Sequence, residues 1–190
     1  MTIFTFNEQQ SIGEVRSVET SRITIRVTDG QRLQKARVGR LVAIQATGDE
    51  WLIGIVERVW RHPVELPTLD EGEVAEGAAA IQQEENGVAI SLVGTYRARD
   101  GQRHNTFSRA VFALPEINRP VYPIEEKSLE DFMGILSASS KADAATPLKV
   151  GTYTLDGKAS AYIDGDKLFQ RHAALLGSTG SGKSFTVASI

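Results

Sequence analysis

Eight residues of the sequence have the types and spacing of a phosphate-binding loop. They read Gly-Ser-Thr-Gly-Ser-Gly-Lys-Ser over residues 177–184, which fits the pattern G-x-x-x-x-G-K-[ST]. Glycines allow positive φ and close backbone approach, so successive N–H groups can turn inward around an anion. Lys183 is placed to reach the β- and γ-phosphates of a nucleotide, and the Ser184 hydroxyl is the expected Mg²⁺ ligand. The pattern therefore predicts a nucleotide site.

The elements around this loop bear on whether the pattern is functional. The apolar run Ala173–Leu176 predicts a buried strand before the loop, and Lys183–Ile190 can begin a helix whose positive end faces the phosphates. The alternative is an accidental Gly/Ser linker. Average residue frequencies give a chance match of about one per cent in a chain of this length. The strand–loop–helix context favours the functional interpretation.

The composition indicates a globular, cytoplasmic protein. The chain has 190 residues, of which 41% are hydrophobic. Its first residues lack the basic start and apolar run of a signal peptide, and no stretch approaches the length of a membrane span. With no cysteine and only three scattered histidines, the sequence shows no disulfide and no zinc-ligand spacing. We therefore expect no membrane partner and no zinc site.

The formal net charge of −3 is distributed unevenly. Nine basic residues lie from Arg16 to Arg61, and four more arginines lie from Arg97 to Arg109, whereas residues 62–96 contain seven acids and no Lys or Arg. The basic parts are either ordinary strand exteriors or an electrostatic footprint for a polyanion. The acidic stretch is either a solvated loop or a docking face. The sequence leaves both questions open.

Short β-type runs separated by turn residues dominate the first 118 residues, which is the pattern of a small all-β barrel or sandwich. Six strands are predicted, at Ile12–Val18, Arg22–Val27, Leu41–Gln45, Trp51–Val59, Gly87–Tyr96 and Ser108–Leu114. The predicted turns are Asp29-Gly30, residues 47–49 and Asp100-Gly101. Two prolines and clustered acids make the interval 63–86 an insertion.

The second part of the chain predicts a linker and a new domain. Asn118–Pro123 is predicted as an extended linker, followed by a helix from an N-cap at Ser128 to about Ser137 and a small, polar second linker. Strands are predicted at Lys149–Leu155 and Ala159–Ile163, around an Asp156-Gly157 turn. The predicted domains are thus a barrel at 1–118 with its acidic insertion near 63–86, a linker with one helix at 119–147, and the start of a P-loop domain at 148–190.

Two regions together resemble the HerA family of hexameric ATPases, relatives of the FtsK-type DNA pumps. The stretch from Ile12–Val15 through Leu52–Val56 resembles the N-terminal barrel shared by HerA proteins and rotary ATP synthase subunits. Asp164–Leu176, followed by the loop, is similar to the HerA approach to its nucleotide site. The resemblance implies an all-β small barrel of the HerA/ATP-synthase type, then a linker helix and the first part of a RecA-like α/β P-loop NTPase domain.

The resemblance also implies a function. ATP and Mg²⁺ are the expected cofactors, and the expected partners are further copies of the chain in a homo-hexameric ring, double-stranded DNA, and an effector protein such as a nuclease. Such a ring translocates or unwinds DNA in end processing or anti-phage defence. The expected ATP-binding residues are Gly177, Ser178, Thr179, Gly180, Ser181, Gly182, Lys183, Ser184 and Phe185, with Ser184 on the metal.

The catalytic residues are not assigned. The 190 residues contain no identified Walker B carboxylate or arginine finger, both of which phosphoryl transfer uses, so we expect that they do not hydrolyse ATP alone. Two other functions stay open. The barrel could be an assembly or partner-docking module without ATPase activity, or the chain could belong to another barrel-bearing ring ATPase, such as a conjugation or secretion motor.

Overall fold

The computed structural model describes residues 2–46, 48–63, 84–98, 105–137, 147–170 and 174–189. Most of the predicted acidic insertion, the Asp100-Gly101 turn and most of the second linker lie outside the described residues, as do Thr47, His104 and His172. The chain divides into two units. One comprises residues 5–97 and 108–124, and the other comprises residues 1–4, 98–107 and 125–190. The three domain limits given above stay predictions.

A closed antiparallel barrel forms the first unit. Its six strands follow the order β2-β1-β7-β3-β4-β5, and β5 pairs with β2 to close the sheet. The elements from the start of the chain to the end of the barrel are a 3-10 turn at Glu8–Gln10, β1 Gly13–Val18, β2 Arg22–Val27, α1 Gly30–Lys35, β3 Leu41–Gln45, β4 Glu50–Pro63, β5 Glu84–Arg97, β6 Thr106–Ser108 and β7 Pro120–Pro123.

Strand β2 shows the alternation of a half-buried strand. In β2, Ile23, Ile25 and Val27 are buried, while Arg22 and Arg26 point outward, as a period of two requires. The buried apolar side chains of the barrel strands meet in one cluster, which includes Ile44. The all-β barrel predicted from alternation is therefore the fold of this unit.

The segment predicted as an extended linker contains the strand that completes the barrel. β7 pairs with β1 on one side and with β3 on the other. The two prolines occupy its ends, where a missing N–H does least harm, and Val121 between them is fully buried. The linker prediction for residues 118–123 was wrong because its partner strands β3 and β1 lie far earlier in the chain, at separations that local patterns do not report.

The predicted strand Ser108–Leu114 was also wrong. The structure has a three-residue strand, β6, at Thr106–Ser108, and residues 109–117 follow without regular secondary structure. Val111 and Ala113 still pack against the barrel core, which explains the alternating apolar pattern. Val111 and Ala113 are half-buried by side-chain packing rather than by strand pairing.

A short helix, α1, occupies the place of the predicted Asp29-Gly30 turn. Asp29 is its N-cap, because the Asp29 carboxylate accepts a hydrogen bond from the Gln31 N–H at 2.8 Å. Ala36 after the helix is buried in the barrel core, and Leu33 packs against that core. The Asp-Gly pair therefore starts a helix instead of reversing the chain.

The second unit contains the remaining elements, which are α2 Glu126–Ser137, β8 Pro147–Tyr153, β9 Asp156–Asp164, α3 Gly165–Gln170 and α4 Lys183–Ser189. Strands β8 and β9 form an antiparallel hairpin. Its turn falls at Thr154 and Leu155, not at the predicted Asp156-Gly157. Asp156 is instead an acceptor, since its carboxylate takes hydrogen bonds from the backbone N–H groups of Glu126 and Lys158.

The α2 helix begins two residues before the predicted N-cap. Ser128 lies inside the helix, and its hydroxyl donates to the Ile3 carbonyl at 3.5 Å. The Asp156 carboxylate supplies the acceptor for the first turn, which explains why a cap at Ser128 is not needed. Leu129 and Phe132 are buried, and the Phe132 ring contacts the Phe107 ring at a centroid distance of 5.4 Å.

Gly134 lies inside α2 in open space. A Cβ at this position would have no heavy atom within 4 Å. We expect Gly134→Ala to raise the free energy of unfolding by about 0.5–1 kcal/mol, because Ala loses less backbone entropy than Gly in a helix. Thermal or urea unfolding of the variant and wild type measures this. Gly48→Ala is the control, since its φ of +54° disfavours a side chain and it should gain no stability. A loss of stability in Gly134→Ala would show that helix propensity does not set the sign here.

No helix among the described residues is long and apolar enough to cross a membrane.

Candidate nucleotide site

The loop at residues 177–184 has a backbone that only glycines support. Gly180 and Gly182 each have a φ of +82°, in the left-handed region that side chains disfavour. At Gly177 a Cβ atom would collide with the Ser181 hydroxyl. At Gly180 and Gly182 a Cβ would meet no atom within 4 Å, so the space above these two residues is open. The glycines thus set a fixed loop shape with room on one side.

Lys183 connects the two ends of the loop. It is the first residue of α4, and its ammonium group donates hydrogen bonds to the carbonyls of Gly177, at 2.8 Å, and Ser178, at 2.5 Å. These carbonyls are neutral acceptors, and a phosphate oxygen is a stronger, charged one. The Lys183 ammonium is therefore positioned at the loop, where an incoming anion can replace its present partners.

The helix after the loop has formed as predicted. The Thr186 N–H and hydroxyl both donate to the Gly182 carbonyl, at 3.0 and 3.1 Å, which joins the loop to the first turn of α4. Ser184 is exposed in the same turn, and the Phe185 side chain is 79% exposed. The structure thus brings Gly177, Ser178 and Lys183 into direct contact and leaves Ser184 and Phe185 accessible.

The strand predicted before the loop is not observed. Ala174, Leu175 and Leu176 have no regular secondary structure, and the Leu176 side chain is 91% exposed. A buried parallel strand needs hydrogen-bonded neighbours on its sides. In the part of the chain that the structure describes, no strand pairs with these residues. The prediction was wrong for the described residues, and the RecA-like sheet is not shown.

The loop residues fit a nucleotide phosphate with Mg²⁺. Two left-handed glycines beside open space make a cradle for an anion, and Lys183 adds a positive charge at its edge. The exposed Ser184 hydroxyl offers an oxygen ligand of the kind Mg²⁺ uses alongside phosphate oxygens and water. Among the described residues no group of three His, Asp or Glu side chains could hold a metal by itself.

One contact was not foreseen from the sequence. Ser178 was predicted only as a member of the loop, but its carbonyl is one of the two acceptors that hold the Lys183 ammonium. No sequence signal could identify it, because any residue type provides a backbone carbonyl.

The comparison with known families concerns the segment that contains the loop. Residues 148–190 match the family model DUF87, described as "Helicase HerA, central domain". Residues 148–190 are a HerA-type segment. This match confirms the HerA resemblance over those residues. The HerA-type residues run from β8 through the nucleotide loop to α4.

A curated relative is similar over a shorter stretch. "Uncharacterized protein aq_aa31" from Aquifex aeolicus (strain VF5) is 33% identical over 69 residues, which is 36% of this chain and 24% of that protein. The chain therefore aligns with about a quarter of the length of this relative. Its printed name assigns it no activity.

Proposed function

We propose that residues 177–185 bind ATP with Mg²⁺ and that the chain contributes the N-terminal barrel and nucleotide loop of a HerA-type hexameric ATPase. In this proposal the ring translocates or unwinds double-stranded DNA together with an effector protein such as a nuclease. One observation carries the nucleotide assignment. The Lys183 ammonium is held at a glycine-shaped loop inside the segment that matches the HerA central domain.

Each loop residue has a defined part in binding. The backbone N–H groups around Gly180 and Gly182 donate hydrogen bonds to the phosphate oxygens, and Lys183 exchanges its two carbonyl partners for phosphate oxygens. Ser184 provides the hydroxyl for Mg²⁺, and the exposed Phe185 lies next to it at the rim of the site. Bound ATP would supply the energy of its phosphoanhydride bond to the movement of DNA.

Replacing Lys183 by Ala tests the nucleotide assignment. We expect the dissociation constant of a fluorescent ATP analogue with Mg²⁺ to rise about tenfold or more, because a charge-assisted hydrogen bond contributes about 1.5–3 kcal/mol. The measurement is an equilibrium titration of the 190-residue chain. Lys149→Ala, at an exposed lysine of β8, removes the same charge away from the loop and should leave the affinity unchanged.

Equal affinities of wild type and Lys183→Ala would remove the nucleotide assignment. The barrel-based docking module is then the leading function. The observation that favours this second candidate is the closed barrel with its own core, which can present a surface without any contribution from the loop. Rings or partner capture by the 190-residue chain in the absence of nucleotide, measured by sedimentation, would support it.

A further inference from the structure

Four basic residues lie in one short stretch of the barrel. They are Arg32, Lys35, Arg37 and Arg40, and we call this stretch the basic segment. The sequence contains no acid between Asp29 and Asp49, so the segment carries a local charge of opposite sign to the chain as a whole. Lys35 and Arg37 are exposed, and Arg32 is half-buried. A positive patch therefore stands on a molecule with net charge −3.

The basic segment is held by backbone hydrogen bonds. The Gly39 N–H donates to the Val56 carbonyl at 2.8 Å, and the Val56 N–H donates to the Arg40 carbonyl at 3.0 Å. The Arg40 guanidinium donates to the Lys35 carbonyl at 3.0 Å, which ties the end of α1 to the start of β3. Since Ala36 is buried in the core, the segment is anchored at its middle as well. Its cations are thus displayed from a fixed backbone.

Ion pairing on the barrel involves other side chains. Among the described residues, the ion pairs join arginines outside the segment to nearby acids, such as Arg22 to Glu57 at 3.1 Å and Arg97 to Glu50 at 2.7 Å. The closest acid in sequence, Asp29, accepts from the backbone of α1. The positive charges of Arg32, Lys35 and Arg37 are accordingly available to a ligand.

We infer that the basic segment is a nucleic-acid contact that binds the backbone phosphates of duplex DNA. Guanidinium groups donate to phosphate oxygens as planar forks, and nucleic-acid interfaces are polar and positively charged. Protein interfaces, in contrast, are centred on apolar and aromatic side chains, and arginine is common to both kinds of interface. Val38 is the exposed large apolar residue of the segment, and Gln34 lies between two of the cations. This composition favours a phosphate backbone over an acidic protein partner.

The inference deepens the proposed DNA-handling function, but it needs no nucleotide. It places a sequence-independent contact on the barrel, separate from the loop at residues 177–184. Because the chain as a whole repels a polyanion, DNA binding must come from a local surface. A failure to bind DNA through the basic segment and a failure to bind ATP at the loop can therefore be distinguished by experiment.

The test is the salt dependence of DNA binding by the 190-residue chain without nucleotide. The probe is a 30-base-pair duplex measured by fluorescence anisotropy from about 50 to 200 mM salt. In the triple variant Arg32→Gln, Lys35→Gln, Arg37→Gln, we expect the slope of log K against log salt to shrink by about 2–3, since each phosphate contact contributes about 0.9. We also expect affinity to fall about tenfold or more at the lowest salt.

A matched triple variant controls for net charge. Arg26→Gln, Arg109→Gln, Lys149→Gln removes the same three charges from exposed positions in separate parts of the chain and should change the slope by less than about 1. Undetectable duplex binding by wild type, or equal losses in the two triples, would overturn the inference. So would poly-glutamate competing with DNA at equal charge concentration, because the segment would then be an acidic-protein contact. Thermal unfolding confirms that both triples are folded.

Discussion

Replacing Val121 by Asp is expected to unfold the barrel, with a loss of about 4 kcal/mol or more of unfolding free energy. Val121 is fully buried at the centre of β7, opposite Gly13 of β1 and Ile44 of β3. Its carbonyl accepts the Ile12 N–H at 2.9 Å. A carboxylate there would lose its hydration inside the apolar cluster and would separate the two halves of the sheet that β7 joins.

Urea unfolding followed by far-ultraviolet circular dichroism measures this loss. Val38→Asp is the matched control, because it makes the same substitution in the same unit at a side chain that is 59% exposed. We expect the control to unfold within about 0.5 kcal/mol of wild type. A Val121→Asp protein as stable as the control would mean that β7 does not close the sheet.

Gly54→Val is expected to lower the free energy of unfolding by about 3 kcal/mol, through a steric clash rather than a buried charge. Gly54 lies in β4, and a Cβ there would collide with the Ile90 Cγ2 atom and approach the Ser91 carbonyl oxygen at 3.1 Å. Ile90 is fully buried in β5, and a β-branched side chain has little rotamer freedom with which to move away. The backbone of β5 must therefore shift, in a strand whose pairing with β4 spans its whole length.

A double-mutant cycle with Ile90→Ala isolates this clash. Ile90→Ala alone removes buried apolar atoms and should cost about 2–5 kcal/mol. The double variant should be more stable than the sum of the two single losses by about 1 kcal/mol or more, because the cavity accepts the new side chain. Strictly additive losses, obtained from urea unfolding of the four proteins, would show that the cost of Gly54→Val has another origin.

The sequence predicted those strands whose faces alternate or whose cores are continuous. Arg22–Val27 and Leu41–Gln45 were found with the bounds predicted for them, because burial on one or both faces fixes their residue pattern. The strand Pro120–Pro123 was not predicted, because two prolines in four residues are typical of a linker and its strand partners are distant in sequence. The α1 helix was not predicted, because an Asp-Gly pair is found both in turns and at the start of helices.

The candidate site divides in a similar way. The glycines and Lys183 could be identified because their geometry depends on local backbone and on residue type. The Ala173–Leu176 strand could not be verified by pattern alone, because an apolar run becomes a strand only where neighbouring strands pair with it. Leu175 and Leu176 belong to the apolar run, but their side chains are exposed and no described strand pairs with them.

The position of β7 in the barrel has a consequence for how the chain acquires its structure during synthesis. Strand β7 is the last of the six barrel strands to leave the ribosome. The edges of β1 and β3 that pair with it therefore have unpaired backbone groups while residues 46–119 are synthesised. Closing so long a loop is slow relative to forming the β4–β5 hairpin. The nascent barrel thus remains an open sheet with two unpaired edges until residue 123 emerges. Protection by chaperones against aggregation matters most during that interval.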